Sequence, residues 1–260
     1  MLSPQRQKLI LGQLRQDKAA SITELAKKLK VSAMTVRRDL DEMEQKGLLQ
    51  RTHGGAILAE PLPLEEDPPF IIRDNVQQPA KQAIAKLATS LLKAGDQIIL
   101  DSGTTVATMA HKLSPKISLT LITYSLPVLH CLPSLPHLKL IATGGFADPT
   151  INALTGPLAE KVLEGVRVDK AFIGATSLSL EEGFSNSSLH NLTLQRLVMK
   201  AAREVYLLVD HSKFSRPPFW LVERLEHLTA IITDEQAPKE KLHQFKQAGI
   251  PVLVAPLITE

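Results

Sequence analysis

The chain has 260 residues, 44% of them hydrophobic and 22% charged, with a formal net charge of +3. That length exceeds a lone binding module and favours one small plus one medium domain, and no stretch approaches the roughly 18 uninterrupted apolar residues of a membrane span. A single cysteine, Cys131, excludes an internal disulfide, and eight histidines without paired Cys or His spacing give no zinc template, so neither metal nor cofactor is expected.

The charge is unevenly placed. Residues 1–58 hold eleven Lys and Arg against six Asp and Glu, a balance of +5, whereas residues 59–260 balance at −2. A basic segment ahead of a near-neutral body is the footprint of a protein in which only one domain meets phosphates. The first residues alternate charge and apolar groups at helical spacing instead of following a basic end with an apolar block. A secretory signal is therefore not expected, and a cytoplasmic location is.

In chain order, Ser3-Pro4 reads as a helix start, with Leu9, Ile10 and Leu14 as its apolar face. Ser21-Ile22-Thr23-Glu24 has the form of a capping box, followed by Ile22, Leu25, Ala26 and Leu29 at helical spacing. Lys30-Val31 makes a turn, and Ser32 caps a third helix that points Val36, Leu40 and Met43 inward. With Val36 inward, Met34 and Arg38 project nearly opposite, flanked by Thr35 and Arg37. Gly47 then breaks the helix, and Leu48 to Ala56 reads as a hairpin turning at Gly54. Residues 1–58 are thus expected to form a winged helix-turn-helix. The predicted DNA-contact set is Ser32, Ala33, Met34, Thr35, Arg37 and Arg38, with Arg51, His53 and Gly54 from the wing. Arg38 is the leading base reader, since arginine near the start of a recognition helix bonds bidentately to guanine. The alternative is a protein-interaction module with a solvated basic face. The agreement of caps, helix lengths, turn, paired arginines and glycine wing favours the DNA reader.

Residues 59–79 read as a linker, with five prolines between Pro61 and Pro79 and an acidic cluster. Residues 80–260 then alternate strand-like apolar runs with amphipathic helices, the pattern of a Rossmann-like, mostly parallel α/β domain. Strands are expected over Gln97–Leu100, Ser118–Ile122, Leu138–Ala142, Lys170–Gly174, Val205–Val209, Ala230–Thr233 and Val252–Val254. Helices are expected over Lys81–Leu92, Thr104–Leu113, Pro157–Gly165, Ser188–Arg203 and Lys239–Gln247.

The densest polar cluster, Asp101-Ser102-Gly103-Thr104-Thr105, sits between a strand and a helix. Hydroxyls, a flexible glycine and free helix-start amides there make a phosphate cradle, though Ser and Thr also simply cap helices. Thr123-Tyr124-Ser125, Thr143-Gly144-Gly145, Gly174-Ala175-Thr176 and Asp210-His211-Ser212-Lys213 also follow predicted strands and are expected on the same sheet edge. Asp210, His211 and Ser212 contain triad chemistries, but neighbours at one strand end point to opposite sides and form no relay; no catalytic residue is expected. No GxGxxG follows a strand. Trp220 marks either an exposed loop at a subunit contact or an anchor of that loop to the core.

The run TELAKKLKVSAMTVRRDLDEMEQKGLLQRTHGGA resembles the N-terminal signature of the DeoR family of bacterial transcriptional regulators. DSGTT, the TGG followed by GPLAE at Gly156–Glu160, DKAFIGA at Asp169–Ala175 and VDHSKF at Val209–Phe214 are similar to that family's sensor domain. The resemblance implies a ribose-phosphate-isomerase-like sensor fold and a repressor that holds operator double-stranded DNA as a dimer or tetramer. It further implies release by a phosphorylated sugar-like effector, held by Asp101, Ser102, Gly103, Thr104, Thr105, Tyr124, Ser125, Gly144, Gly145, Thr176 and Lys213, with Lys213 as the positive charge. Two departures stand out. Relatives commonly read GADG where this chain has Gly174-Ala175-Thr176-Ser177, and they carry a Glu and a Lys where it has Asn191 and Gln195. Loss of those charges argues against isomerase chemistry. Tyr124 stands where asparagine is common, and either stacks on a ligand ring or packs against the sheet. The competing readings are a sugar-phosphate enzyme with an appended DNA-binding domain and a constitutive DNA binder with a vestigial pocket.

Overall fold

The computed structural model describes residues 3–17, 19–45, 48–52, 54–58, 70–132, 137–215 and 220–257. They form two compact units. One runs from the N-terminus through Leu58 and takes in Ile71–Asn75; the other holds Phe70 and everything from Val76 on.

The first unit is built from α1 (Ser3–Asp17), β1 (Ala19–Ser21), α2 (Ile22–Leu29), α3 (Ala33–Gln45), β2 (Leu49–Thr52) and β3 (Gly55–Leu58), with α4 (Phe70–Asn75) following. The capping box at Ser21 forms in both directions: the Ser21 hydroxyl accepts from the Glu24 amide and the Glu24 carboxylate accepts from the Ser21 amide. Lys30 ends α2 in the left-handed region, its amide turned back to the carbonyls of Ala26 and Lys27, which closes the tight turn to α3. Of the predicted inward residues, Ile10, Leu14, Leu25, Leu29, Val36, Leu40 and Met43 lie in one core with Leu48, Leu49 and Ala56, whereas Leu9, one position off the Ile10–Leu14 face, is 51% exposed. The wing pairs Thr52 with Gly55 and Leu49 with Leu58, ending two residues later than expected. A third strand, β1, was not anticipated; it pairs with β3 to give the order β1-β3-β2. It is only three residues long, too short for a period-2 signal. Gly55 is obligatory there, because a Cβ would stand 2.1 Å from the Ala20 carbonyl oxygen.

The second unit contains α5 (Gln78–Ser90), β4 (Gln97–Leu100), α6 (Thr104–His111), β5 (Leu119–Thr123), α7 (Leu126–Cys131), β6 (Leu138–Ala142), β7 (Phe146–Asp148), β8 (Ala153–Thr155), α8 (Pro157–Gly165) and β9 (Val168–Gly174). It continues through β10 (Ser177–Ser179), β11 (Gly183–Asn186), α9 (Leu189–Ala201), β12 (Ala202–Leu208), β13 (Trp220–Glu223), β14 (Ala230–Asp234), α10 (Lys239–Gln247) and β15 (Val252–Ala255). Seven strands form one sheet in the order β15-β14-β12-β9-β4-β5-β6, every pairing parallel. All seven expected strands are in it. Its two faces are covered by separate apolar cores, one around Ile99, Ile173 and Leu207, the other around Ile98, Leu100, Phe172 and Tyr206, which is why these strands read as continuous apolar runs.

Three expectations need correction. The stretch read as linker contains the helix α4 from Phe70 and the start of α5 at Gln78, where Pro79 occupies the first turn and its missing N–H costs nothing; residues 59–69 lie outside the described residues. The short antiparallel pairs β7–β8 and β10–β11–β13 were missed for want of length. Trp220 lies in β13 paired with Asn186, while Arg216–Phe219, the rest of the loop it was read with, lie outside the described residues.

Candidate nucleic-acid interface and sensor crevice

On α3 the periodicity that buries Val36, Leu40 and Met43 leaves Ser32, Ala33, Met34, Arg37 and Arg38 exposed, Met34 at 70%. The Ser32 hydroxyl accepts from the Thr35 amide at 3.1 Å and lies 2.9 Å from the Thr35 hydroxyl, so both of these small polar groups are engaged in starting the helix. Neither Arg37 nor Arg38 has an ion pair among the described residues. Arg51 on the wing differs, since its guanidinium is held by Asp41 and its amide donates to Glu44 at 2.7 Å. Gly54 is exposed at the wing turn, its carbonyl accepting from the Ile22 amide at 2.9 Å. His53 lies outside the described residues.

Asp39, inside the same RRDL run, turns the other way. It is fully buried and takes a two-pronged bond from Arg6, Nε to Oδ2 at 2.6 Å and Nη2 to Oδ1 at 2.9 Å, which ties α1 to α3. The hydrogen bond to this carboxylate holds the Arg6 guanidinium above its ordinary pKa. Sequence reasoning missed this pair, although Asp39 stands three residues after Val36 and therefore shares its inward face.

In the sensor unit the polar loops after β12, β9, β4, β5 and β6 all emerge at the same sheet edge, on five adjacent strands. From β4 the chain steps outward through β5 and β6, then crosses to β9 and steps the other way through β12, β14 and β15. The reversal falls between β4 and β9, and ligands of open parallel sheets bind beyond the strand ends at such a point. Asp101 to Thr105 leave β4 there, directly facing Gly174 at the end of β9. The predicted effector residues are spread over the ends of five strands. Gly144-Gly145 after β6 and Lys213 after β12 stand four strand spacings apart, about 19 Å.

At this switch point Gly103 takes φ +135°, a conformation other residues rarely adopt, and no side chain caps α6. Thr104 and Thr105 are 7% and 8% exposed, and neither hydroxyl has a hydrogen bond among the described residues. Ser102, equally buried, gives its hydroxyl to Asn191 at 3.1 Å. Asp101 is sealed and fully used. One oxygen accepts from the Ser102 amide at 2.7 Å and from the Tyr124 hydroxyl; the other accepts from the Gly174 amide at 2.9 Å and from Gln195 Nε2 at 2.6 Å. Burial pushes the Asp101 carboxyl up to about 6 against the opposite pull of these donors. Burial, reinforced by the charge of Asp101, pushes Tyr124 well above its ordinary value. Asp101 therefore fixes the crevice from behind, offering no side-chain face to a ligand. Tyr124 has no exposed face to stack on and packs into the core. Ser125 is likewise fully buried and caps α7 through the Val128 amide at 3.4 Å. Thr176 donates its amide to the Ser185 carbonyl, and Lys213 lies in a single 3-10 turn.

That turn is internally satisfied as well. Asp210 accepts from the Ser212 amide at 2.9 Å, and His211 Nδ1 stands 2.8 Å from Asp234 Oδ2, so Asp210, His211 and Ser212 form no relay. A separate open cavity of about 470 Å3 is lined by Phe146, Asp148, Thr155, Glu160, His190 and Thr193 among others, and by none of the predicted effector residues.

The fold and the exposed helix define a DNA-binding transcriptional regulator: a winged helix with its reading helix bare, joined in one chain to a parallel α/β sensor. Residues 6–61 match the DeoR-like helix-turn-helix domain and residues 76–235 the DeoR C terminal sensor domain. The chain belongs to the DeoR family. It is 32% identical to the HTH-type transcriptional regulator GolR of Listeria innocua, over 96% of this chain and 98% of that one. It is 36% identical to the lactose phosphotransferase system repressor of Lactococcus lactis, over 95% and 97%. Among solved structures it is similar to ribose 5-phosphate isomerase A of Methanocaldococcus jannaschii, at 22% identity and TM-score 0.39 over 52% of this chain and 54% of that one. No helix among the described residues is long and apolar enough to cross a membrane.

Proposed function

We propose that the chain is a cytoplasmic repressor of carbohydrate-metabolism genes, acting as a homo-oligomer that a phosphorylated sugar releases from operator DNA. Residues 1–58 read the operator and residues 80–260 sense the effector. The observation that carries the sensing half is Thr104 and Thr105, nearly buried residues at the first turn of α6 whose hydroxyls have no hydrogen bond among the described residues. They stand beside free helix-start amides at the switch point of the sheet, an arrangement suited to a phosphate group. The Lactococcus relative, named as repressor of a lactose phosphotransferase system, supports carbohydrate control. The crevice binds without turnover: its one carboxylate, Asp101, is saturated by hydrogen bonds, and Asn191 and Gln195 are neutral amides.

The test is a panel of sugar phosphates screened for thermal stabilisation of the full chain, with hits assayed for operator release. A ligand that raises the melting temperature and weakens DNA binding is the expected result, since release requires differential affinity for two states. Turnover of any sugar phosphate would favour an enzyme instead. Stabilisation without any change in operator affinity would refute the regulatory half of the reading.

A further inference from the structure

Asp101 is a charged group buried behind the loop of residues 102–105, and among the described residues everything bonded to it is neutral: a phenol, the Ser102 hydroxyl at 3.5 Å, two backbone amides and the Gln195 carboxamide. Among the described residues no cation is bonded to it. From α9 come Asn191 and Gln195, while the same helix spends Arg196 on the carbonyls of Leu221 and Val222 and sets His190 against Asp148. The charged groups on the next strand ends are Asp210, His211 with Asp234, and Lys213, which follow β12 and β14, two and three strands from β4. An anion held by the amides and hydroxyls of Thr104 and Thr105 is thus placed a few residues from a buried carboxylate that lacks a counter-charge. Two like charges in so dry a site raise the pKa of the weaker acid.

We propose that Asp101 is the specificity-determining group of the crevice, admitting a tetrahedral dianion beside the loop only as the neutral acid, so that binding takes up one proton. The inference rests on the anion-binding reading above. The proton comes from solvent and adds to a carboxylate oxygen of Asp101; no bond to the ligand forms. Tyr124 allows this exchange, because its hydroxyl donates to the ionised acid and can rotate to accept from the protonated one. Burial has already brought the carboxyl to about 6, so a small further rise carries it through neutrality. Gln195 is the positioning partner: a cation at that position would keep Asp101 ionised and uncouple the proton from the ligand.

Sulfate is the probe, because it is a dianion that carries no proton of its own near neutral pH. Calorimetric titration of the full chain near pH 7, in buffers of different ionisation enthalpy, should show an uptake approaching one proton, with affinity falling toward tenfold per pH unit above neutrality. Asp101→Asn should bind sulfate at least as tightly, with no uptake and a flat pH profile. Gln195→Lys, which keeps the carboxylate, should also lose the uptake. Sulfate binding without buffer dependence in the wild type overturns the inference and leaves the crevice standing, as does uptake retained in Asp101→Asn. Sulfate binding by none of the three proteins overturns the crevice reading itself.

Discussion

In the winged-helix unit Asp39 is sealed from solvent against the guanidinium of Arg6, whereas in the sensor unit Asp101 is sealed against a phenol, two amides and a carboxamide. Both acids belong to the most recognisable stretch of their unit, RRDL and DSGTT, and both point away from the surface that stretch presents. The difference lies in the partner. A buried carboxylate matched by a cation fixes two helices, here α1 and α3 of the reading head. One matched only by neutral donors stays close to its protonation midpoint, and its surroundings can still change its state. A fixed pair of helices suits the part that reads DNA, and a tunable acid suits the part that must respond.

The comparison is broken most severely by Asp39→Ala. Removing one partner of a buried ion pair costs far more than the pair itself contributes. We expect the winged-helix unit to lose its cooperative melting transition and operator binding to disappear, while the sensor transition is retained in calorimetry. Asp39→Asn, which keeps an acceptor for Arg6, should recover part of the transition. Equal melting of wild type and Asp39→Ala would show that the pair is not what joins α1 to α3.

The corresponding truncation in the sensor, Asp101→Ala, removes the acceptor of several neutral donors instead of the partner of a cation. Each buried donor left unsatisfied costs about 1–3 kcal/mol. The sensor transition should therefore fall by several kcal/mol, measurable by denaturant titration, with DNA binding by the first unit unchanged. Asp101→Asn, which retains one acceptor oxygen, should fall less.

A pH series sharpens the contrast further. The Asp101 carboxyl lies near 6 in the folded sensor and starts from 3.8 when exposed, so between those values the folded state binds more protons than the unfolded one. Stability contributed at this site is then greatest below about pH 4 and declines as the pH rises through 6, by on the order of 3 kcal/mol. In Asp101→Asn and Gln195→Lys that decline should vanish from the sensor's melting temperature. An unchanged decline in both variants would place the titrating group elsewhere.

How far the sequence alone reached follows the same division. The parallel sheet was legible because its strands are continuous apolar runs, and the reading helix because Val36, Leu40 and Met43 repeat at helical spacing. The short pairs such as β1 and β7–β8 carry three residues each and leave no period to detect. In the sensor, DSGTT falls at the end of β4, beside the reversal of strand order. What spacing could not give was that Asp101 and Tyr124 turn inward to each other, because the bond joining them spans 23 residues. Nor does a one-dimensional pattern set the order of strands, and that order separates Gly144-Gly145 from Lys213.

The smallest expected effect lies within the reading head, between two arginines that the sequence placed together in the contact set. Arg38 is exposed on α3 with no ion pair among the described residues, so its full donor fork is available to a guanine edge. Arg51 has its guanidinium held by Asp41 and must break that bond before reaching DNA. Arg38→Ala should weaken operator binding by about 1–3 kcal/mol and relax the preference at one base pair. Arg51→Ala should cost less and act equally on operator and random DNA, because a wing arginine that meets phosphates adds to the salt dependence without reading sequence. Competition binding on both DNAs at two salt concentrations separates these outcomes. If Arg51→Ala removes discrimination while Arg38→Ala only lowers the salt slope, the wing carries the specificity and α3 merely anchors it.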